Sequence, residues 1–123
     1  MESKKNLLVV EDDELTLKFF NIYLGKYFNI TCCISSEEFY EKIDERTYDI
    51  LIMDLSLKGS KDGLELTKEL RLRPGYVNTP IFALTANALK RDEAAAYKAG
   101  ISKFLRKPID NKTLLNELKN AVK

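Results

Sequence analysis

The stretch Tyr48-Asp49-Ile50-Leu51-Ile52-Met53-Asp54-Leu55-Ser56 decides the fold. Ile50 to Met53 is an unbroken apolar run, the pattern of a strand buried on both faces in the middle of a parallel sheet. Asp54 then ends it. In open α/β sheets, ligands and chemistry gather beyond the carboxyl ends of the strands. Asp54 therefore stands where an acid can be reactive.

Similar runs lie on either side. Leu7–Val10 precedes Glu11-Asp12-Asp13, and Ile81–Leu84 follows Pro80 and ends at Thr85. A short strand over Ser102–Leu105 leads to Lys107-Pro108, and Phe28–Ile34 is rich in β-branched and aromatic residues. Helical spacing fills the intervals. Leu15, Phe19, Ile22 and Tyr23 share one face, with Gly25 as a stop. Ser35 or Ser36 can cap the next helix, with Glu38 as the capping-box acid and Phe39, Tyr40 and Ile43 as its apolar face. Leu66 and Leu70 are spaced for burial in Leu64–Leu72, Ala86–Ala99 ends at Gly100, and Asp110 caps a last helix carrying Leu114, Leu115, Leu118 and Val122. Five strands alternating with five helices predict a doubly wound α/β fold, a parallel sheet with helices on both faces.

The 123 residues suit one domain, 1–123. With 45% hydrophobic and 32% charged residues and a net charge of +1, the composition is globular. No basic patch announces nucleic acid. No apolar stretch approaches the roughly 18 residues of a membrane helix, and Met1–Asn6 lacks the apolar core of a signal peptide. The expectation is a soluble, cytoplasmic chain. Cys32 and Cys33 are adjacent, so a disulfide between them would be strained. There is no histidine, which excludes histidine acid–base chemistry, histidine metal sites and a phospho-histidine of the chain's own.

Four of the five strands end in residues with phosphate or metal chemistry: Glu11 and Asp12, Asp54, Thr85, and Lys107. A parallel sheet brings those ends to one edge. Three carboxylates there repel, and their proton affinities become coupled. Mg²⁺, a hard cation, would relieve them. Lys107 offers a charge and Thr85 a hydroxyl to phosphate oxygens. The set makes a phosphoryl-accepting site with a carboxylate as nucleophile.

Val-Val-Glu-Asp-Asp at 9–13, Ile-Met-Asp-Leu at 52–55, Ala-Leu-Thr-Ala at 83–86 and Phe-Leu-Arg-Lys-Pro at 104–108 occur in order at strand ends. On these motifs the chain, from Leu7 to about Val122, resembles the receiver domains of two-component response regulators. The resemblance implies a flavodoxin-like five-stranded sheet of order 2-1-3-4-5. It implies that Asp54 is the phosphoacceptor, fed by a histidine kinase or histidine phosphotransfer protein, in a domain that assists its own phosphorylation and dephosphorylation rather than a turnover enzyme. Asp12, Asp54, the Ser56 backbone carbonyl and, through water, Glu11 would hold Mg²⁺. Thr85 and Lys107 would bind the phosphoryl group, Phe104 would be the switch aromatic with Thr85, and the Lys107–Pro108 bond would be cis. Ser56 and Asn87 resemble lifetime-tuning positions. The face of Ala94, Ala95, Tyr97, Lys98, Lys103 and Arg106 resembles the output face, through which a homodimer of the last two strands and helices could form. No nucleic acid or membrane contact is implied for this domain.

Two departures stand out. Leu55–Gly63 lacks the family's proline after the acceptor and is one residue longer, and Phe104 replaces the frequent tyrosine. Plainer readings stay open: Asp13 as a helix start, Thr85 as an N-cap, Phe104 as core. A phosphorylation-independent pseudo-receiver acting as an interaction module is the alternative function. An aspartate-based phosphohydrolase would need a second Asp where Ser56 stands, acids at the first strand end would repel the phosphate of FMN, and no P-loop motif is present.

Overall fold

The structure is a computed structural model, and it describes residues 4–57, 59–86 and 90–123. The strands are β1 (Lys5–Val10), β2 (Phe28–Cys33), β3 (Ile50–Asp54), β4 (Ile81–Thr85) and β5 (Lys103–Arg106). The helices are α1 (Glu14–Tyr23), α2 (Ser36–Lys42), α3 (Gly63–Arg71), α4 (Lys90–Ala99) and α5 (Asn111–Ala121). Short 3₁₀ turns follow α1 at Leu24–Lys26 and α3 at Pro74–Tyr76. The sheet is parallel, in the order β2-β1-β3-β4-β5. The expected doubly wound, flavodoxin-like fold is what forms.

β3 sits in the middle of the sheet, and all five of its residues are buried. Its side chains alternate between two cores. Ile50 and Ile52 join Leu7 and Val9 of β1 and Leu17, Phe20, Leu114 and Leu118 from α1 and α5. Leu51 and Met53 join Leu8, Val10, Phe39, Ile43, Leu66, Leu70 and Ala96 under α2, α3 and α4. Each buried Leu, Ile, Val, Met or Phe among them contributes about 1.5–3 kcal/mol through burial. A strand whose both faces are covered cannot alternate polar and apolar residues, which is why this one reads as a continuous run.

The caps are local. Asp13, Ser35, Asp62 and Asp110 each accept the backbone N–H three residues on, and Asp62 with Glu65 forms a full capping box. Ser35, not Ser36, is therefore the cap of α2, and the Glu38 carboxylate accepts from the N–H of Ile34 at 2.9 Å.

α1 corrects the sequence reading. Leu15, Phe19, Ile22 and Tyr23 were expected to line one apolar face, but Leu15, Phe19 and Ile22 are 73%, 52% and 64% exposed and only Tyr23 of the four packs against the core, while Leu17, Phe20 and Leu24 are buried. The helix carries two apolar stripes, and the sheet takes only one. Tyr40 likewise sits at the margin of α2, with its hydroxyl donating to Glu69 at 2.6 Å. α4 is described from Lys90, so its expected start and Asn87 lie outside the described residues. Both cysteines are free, and burial pushes the Cys33 thiol up to about 12. Among the described residues no helix is long and apolar enough to cross a membrane.

Candidate functional site

Backbone bonding aligns the strand ends. Val10 lies opposite Met53, so Glu11, one residue on, comes beside Asp54. The Glu11 N–H donates to the Cys33 carbonyl at 2.9 Å, Leu55 N–H to the Leu84 carbonyl at 3.3 Å, and Lys107 N–H to the Thr85 carbonyl at 2.8 Å. Backbone bonds between neighbouring strands thus continue just where the acids, hydroxyl and lysine begin.

Glu11 is 1% exposed, and its charge is met on both oxygens. Oε2 accepts from the N–H groups of Asp12 and Asp13 at 3.0 and 3.2 Å, and Oε1 forms an ion pair with the Lys107 ammonium. Asp54 is 4% exposed, and its Oδ1 accepts from Ser56 N–H at 2.9 Å. Burial, then hydrogen bonding and charge from Glu11, push the Asp54 carboxyl up to about 7, against the pull of Ser56 N–H and Lys107. Carboxylate oxygens of Glu11, Asp12 and Asp54 all lie within 4.8 Å of one another. Such a hard, anionic oxygen set fits Mg²⁺, which binds through one or two carboxylates while keeping waters and phosphate oxygens.

Thr85 is 2% exposed at the end of β4. With Ser56, Leu55, Asp62, Leu64, Asp92 and Ala95 it lines a cavity of about 220 Å³ on the α3–α4 side of the rim. Phe104 is already inside, in the core with Ala83, Ala96 and Ile101. Its N–H donates to the Tyr97 hydroxyl at 3.2 Å, and the Arg106 guanidinium lies 5.4 Å from its ring centre. Arg106 pairs with Glu93 and Lys103 with Glu117, so these two cations of the face are paired within the chain. The Lys107–Pro108 bond is cis, as the resemblance implied.

The rim thus gathers Glu11, Asp12, Asp54, Thr85 and Lys107, with Ser56 in the turn that follows. Two features escaped the sequence reading. A Cβ on Gly63 would lie 2.2 Å from the Asp54 carbonyl oxygen, so only glycine lets α3 start against the acid-bearing strand; the Asp62-Gly63 pair was the available signal. The second is a groove of about 490 Å³ lined by Leu15, Thr16, Phe19, Lys107, Pro108 and Ile109, among others. It places the unburied stripe of α1 next to the rim. An excess of apolar residues over what one face can bury was its signal.

A family model described as response regulator receiver domain matches residues 7–119. The chain is 29% identical over 117 residues to the polar-differentiation response regulator DivK of Brucella ovis, covering 94% of each. It is 28% identical over 127 residues to regulatory protein VirG of Agrobacterium tumefaciens, covering 99% of this chain and 45% of that one. Among solved structures, the receiver domain of a sensor histidine kinase from Pseudomonas aeruginosa, with a magnesium ion coordinated in its active site cleft, superposes with a TM-score of 0.87 at 27% identity, covering 98% of each chain. The chain spans about half the length of the first curated relatives it matches.

Proposed function

This chain belongs to the response regulator receiver family, and we propose that within it Asp54 accepts a phosphoryl group from a phospho-histidine of a histidine kinase or histidine phosphotransfer protein. The observation that carries this reading is the gathering of Glu11, Asp12 and Asp54 within 4.8 Å, with the Lys107 ammonium on Glu11. Asp12 and Asp54, with the Ser56 carbonyl and with Glu11 through water, would hold Mg²⁺. When bound, the ion supplies positive charge that neutralises the phosphoryl oxygens.

The remaining work falls to the side chains. An Asp54 oxygen attacks phosphorus as the phosphorus–nitrogen bond breaks. The electron pair leaves on the imidazole nitrogen, which takes up a proton, and an acyl phosphate remains on Asp54. Lys107 turns from Glu11 to the transferred group and offsets its charge. Thr85 donates its hydroxyl to a phosphoryl oxygen. With the Phe104 ring already packed, a shift of Thr85 changes what that ring packs against rather than opening a space for it. The effect spreads to the face of α4, β5 and α5 as a shift between existing states. Self-association through that face would require the Arg106–Glu93 and Lys103–Glu117 pairs to rearrange. The apolar groove beside Lys107, with Leu15 and Phe19 exposed on its wall, suits the docking of the phosphodonor.

Incubation with acetyl phosphate and Mg²⁺ tests the assignment. The parent should take up one phosphoryl group and Asp54→Asn none; equal uptake by the two overturns it. A pseudo-receiver would instead show no saturable response to Mg²⁺.

A further inference from the structure

The segment after β3 lacks the stiffening proline that the family carries, and the structure supplies another restraint. Residues 59–61 are fastened to the first turn of α2. The Ser60 hydroxyl donates to Glu37 Oε2 at 2.7 Å, and its N–H donates to the same oxygen at 3.3 Å. The Ser36 hydroxyl donates to that oxygen at 3.1 Å and accepts from Lys61 N–H at 3.3 Å. Gly59 has φ +119°, and a Cβ there would lie 2.9 Å from both Glu37 Oε1 and Ser36 Oγ. Glycine is required on conformational and steric grounds alike. Ser36 is fully buried.

The two ends of this segment define the acid rim. At its start, Ser56 N–H holds Asp54 Oδ1. At its finish, the Asp62 capping box and Gly63 press α3 against the Asp54 carbonyl. Its middle is held by α2.

We propose that Ser36 and Glu37 are positioning residues for the metal site, fixing residues 59–61 so that the Ser56 carbonyl is presented beside Asp12 and Asp54. The proposal deepens the phosphoacceptor reading and rests on it. A segment already fixed before binding does not have to be ordered by the ion, and preorganisation of this kind appears as affinity.

Calorimetric titration with Mg²⁺, paired with melting in EDTA and in saturating Mg²⁺, tests it. Ser60→Ala and Glu37→Ala should weaken Mg²⁺ binding about three- to tenfold and shrink the rise in Tm that the ion produces. Ser60→Thr, which keeps the hydroxyl, should restore both. Gly59→Ala, which collides with Glu37, should weaken binding without deleting any hydrogen-bonding group. A merely structural fastening would lower Tm equally with and without the ion and leave the dissociation constant unchanged; that result overturns the proposal. A parent that takes up no Mg²⁺ removes the phosphoacceptor reading itself, and the proposal with it, so the two failures are distinguishable.

Discussion

The two rims of the sheet each hold a partly buried cation, and they use it in opposite ways. At the amino-terminal rim, Arg71 donates to the carbonyls of Gly100, Tyr76 and Thr79 at 2.8, 2.7 and 2.7 Å. It also reaches the Ser102 hydroxyl, which accepts the N–H of Ile81. Every partner is a neutral, fixed acceptor, and the guanidinium joins α3, the turn before β4 and the α4–β5 connection. At the carboxyl-terminal rim, Lys107 meets carboxylates gathered at one point, and one of these, Asp54, has its proton affinity raised. A cation among carbonyls satisfies what the fold leaves over. A cation among crowded acids leaves charge that a divalent ion and a phosphoryl group can complete. Both rims are well bonded, so hydrogen-bond satisfaction alone does not separate structure from function; the sign and crowding of the charges do.

Exchanging the readouts sharpens this contrast. Lys107→Met should slow phosphoryl uptake from acetyl phosphate about a hundredfold, the scale of losing one preorganised charge at a developing anion. Arg71→Met should leave uptake within about twofold but lower the unfolding free energy by about 2–4 kcal/mol in urea, because the carbonyls around it lose a charged donor. A large loss of uptake in the Arg71 variant would break the comparison.

A smaller effect runs the other way. The folded pKa of Asp54, about 7, lies above its ordinary value of 3.8. Between those values the folded state binds more protons than the unfolded state, so the metal-free parent should lose stability as pH rises from about 4 to 7. Asp54→Asn removes that liability and should melt about 3–6 °C higher than the metal-free parent at pH 7.5, the gap closing toward pH 4. Melting curves across that range in EDTA check it; an Asn variant less stable than the parent at pH 7.5 would mean the acids are not in conflict.

What could be read from the sequence follows the range of the forces involved. Ile50–Met53 was legible because burial on both faces imprints a continuous run. Asp110 was legible as a cap because its partner is three residues away. The rim residues were legible because a parallel sheet brings strand ends together whatever the detail. Leu15 and Phe19 were not, because two apolar stripes on one helix leave the choice to the approach of the sheet. The fastening of Ser60 to Glu37 joins residues distant in sequence, and nothing local announces it. Arg71, a basic residue in the last turn of a helix, looks like a solvated dipole partner until the carbonyls of Tyr76, Thr79 and Gly100 are placed around it.

An amide NMR titration of the metal-free protein with Mg²⁺ tests most directly whether the acid rim is where the ion binds. Saturable shifts should concentrate at Glu11–Asp13, Asp54–Ser56 and Lys107, with Arg71, Tyr76 and Gly100 unmoved, and the pattern should be lost in Asp54→Asn. Shifts spread evenly over both rims, or a pattern unchanged by that substitution, would contradict it.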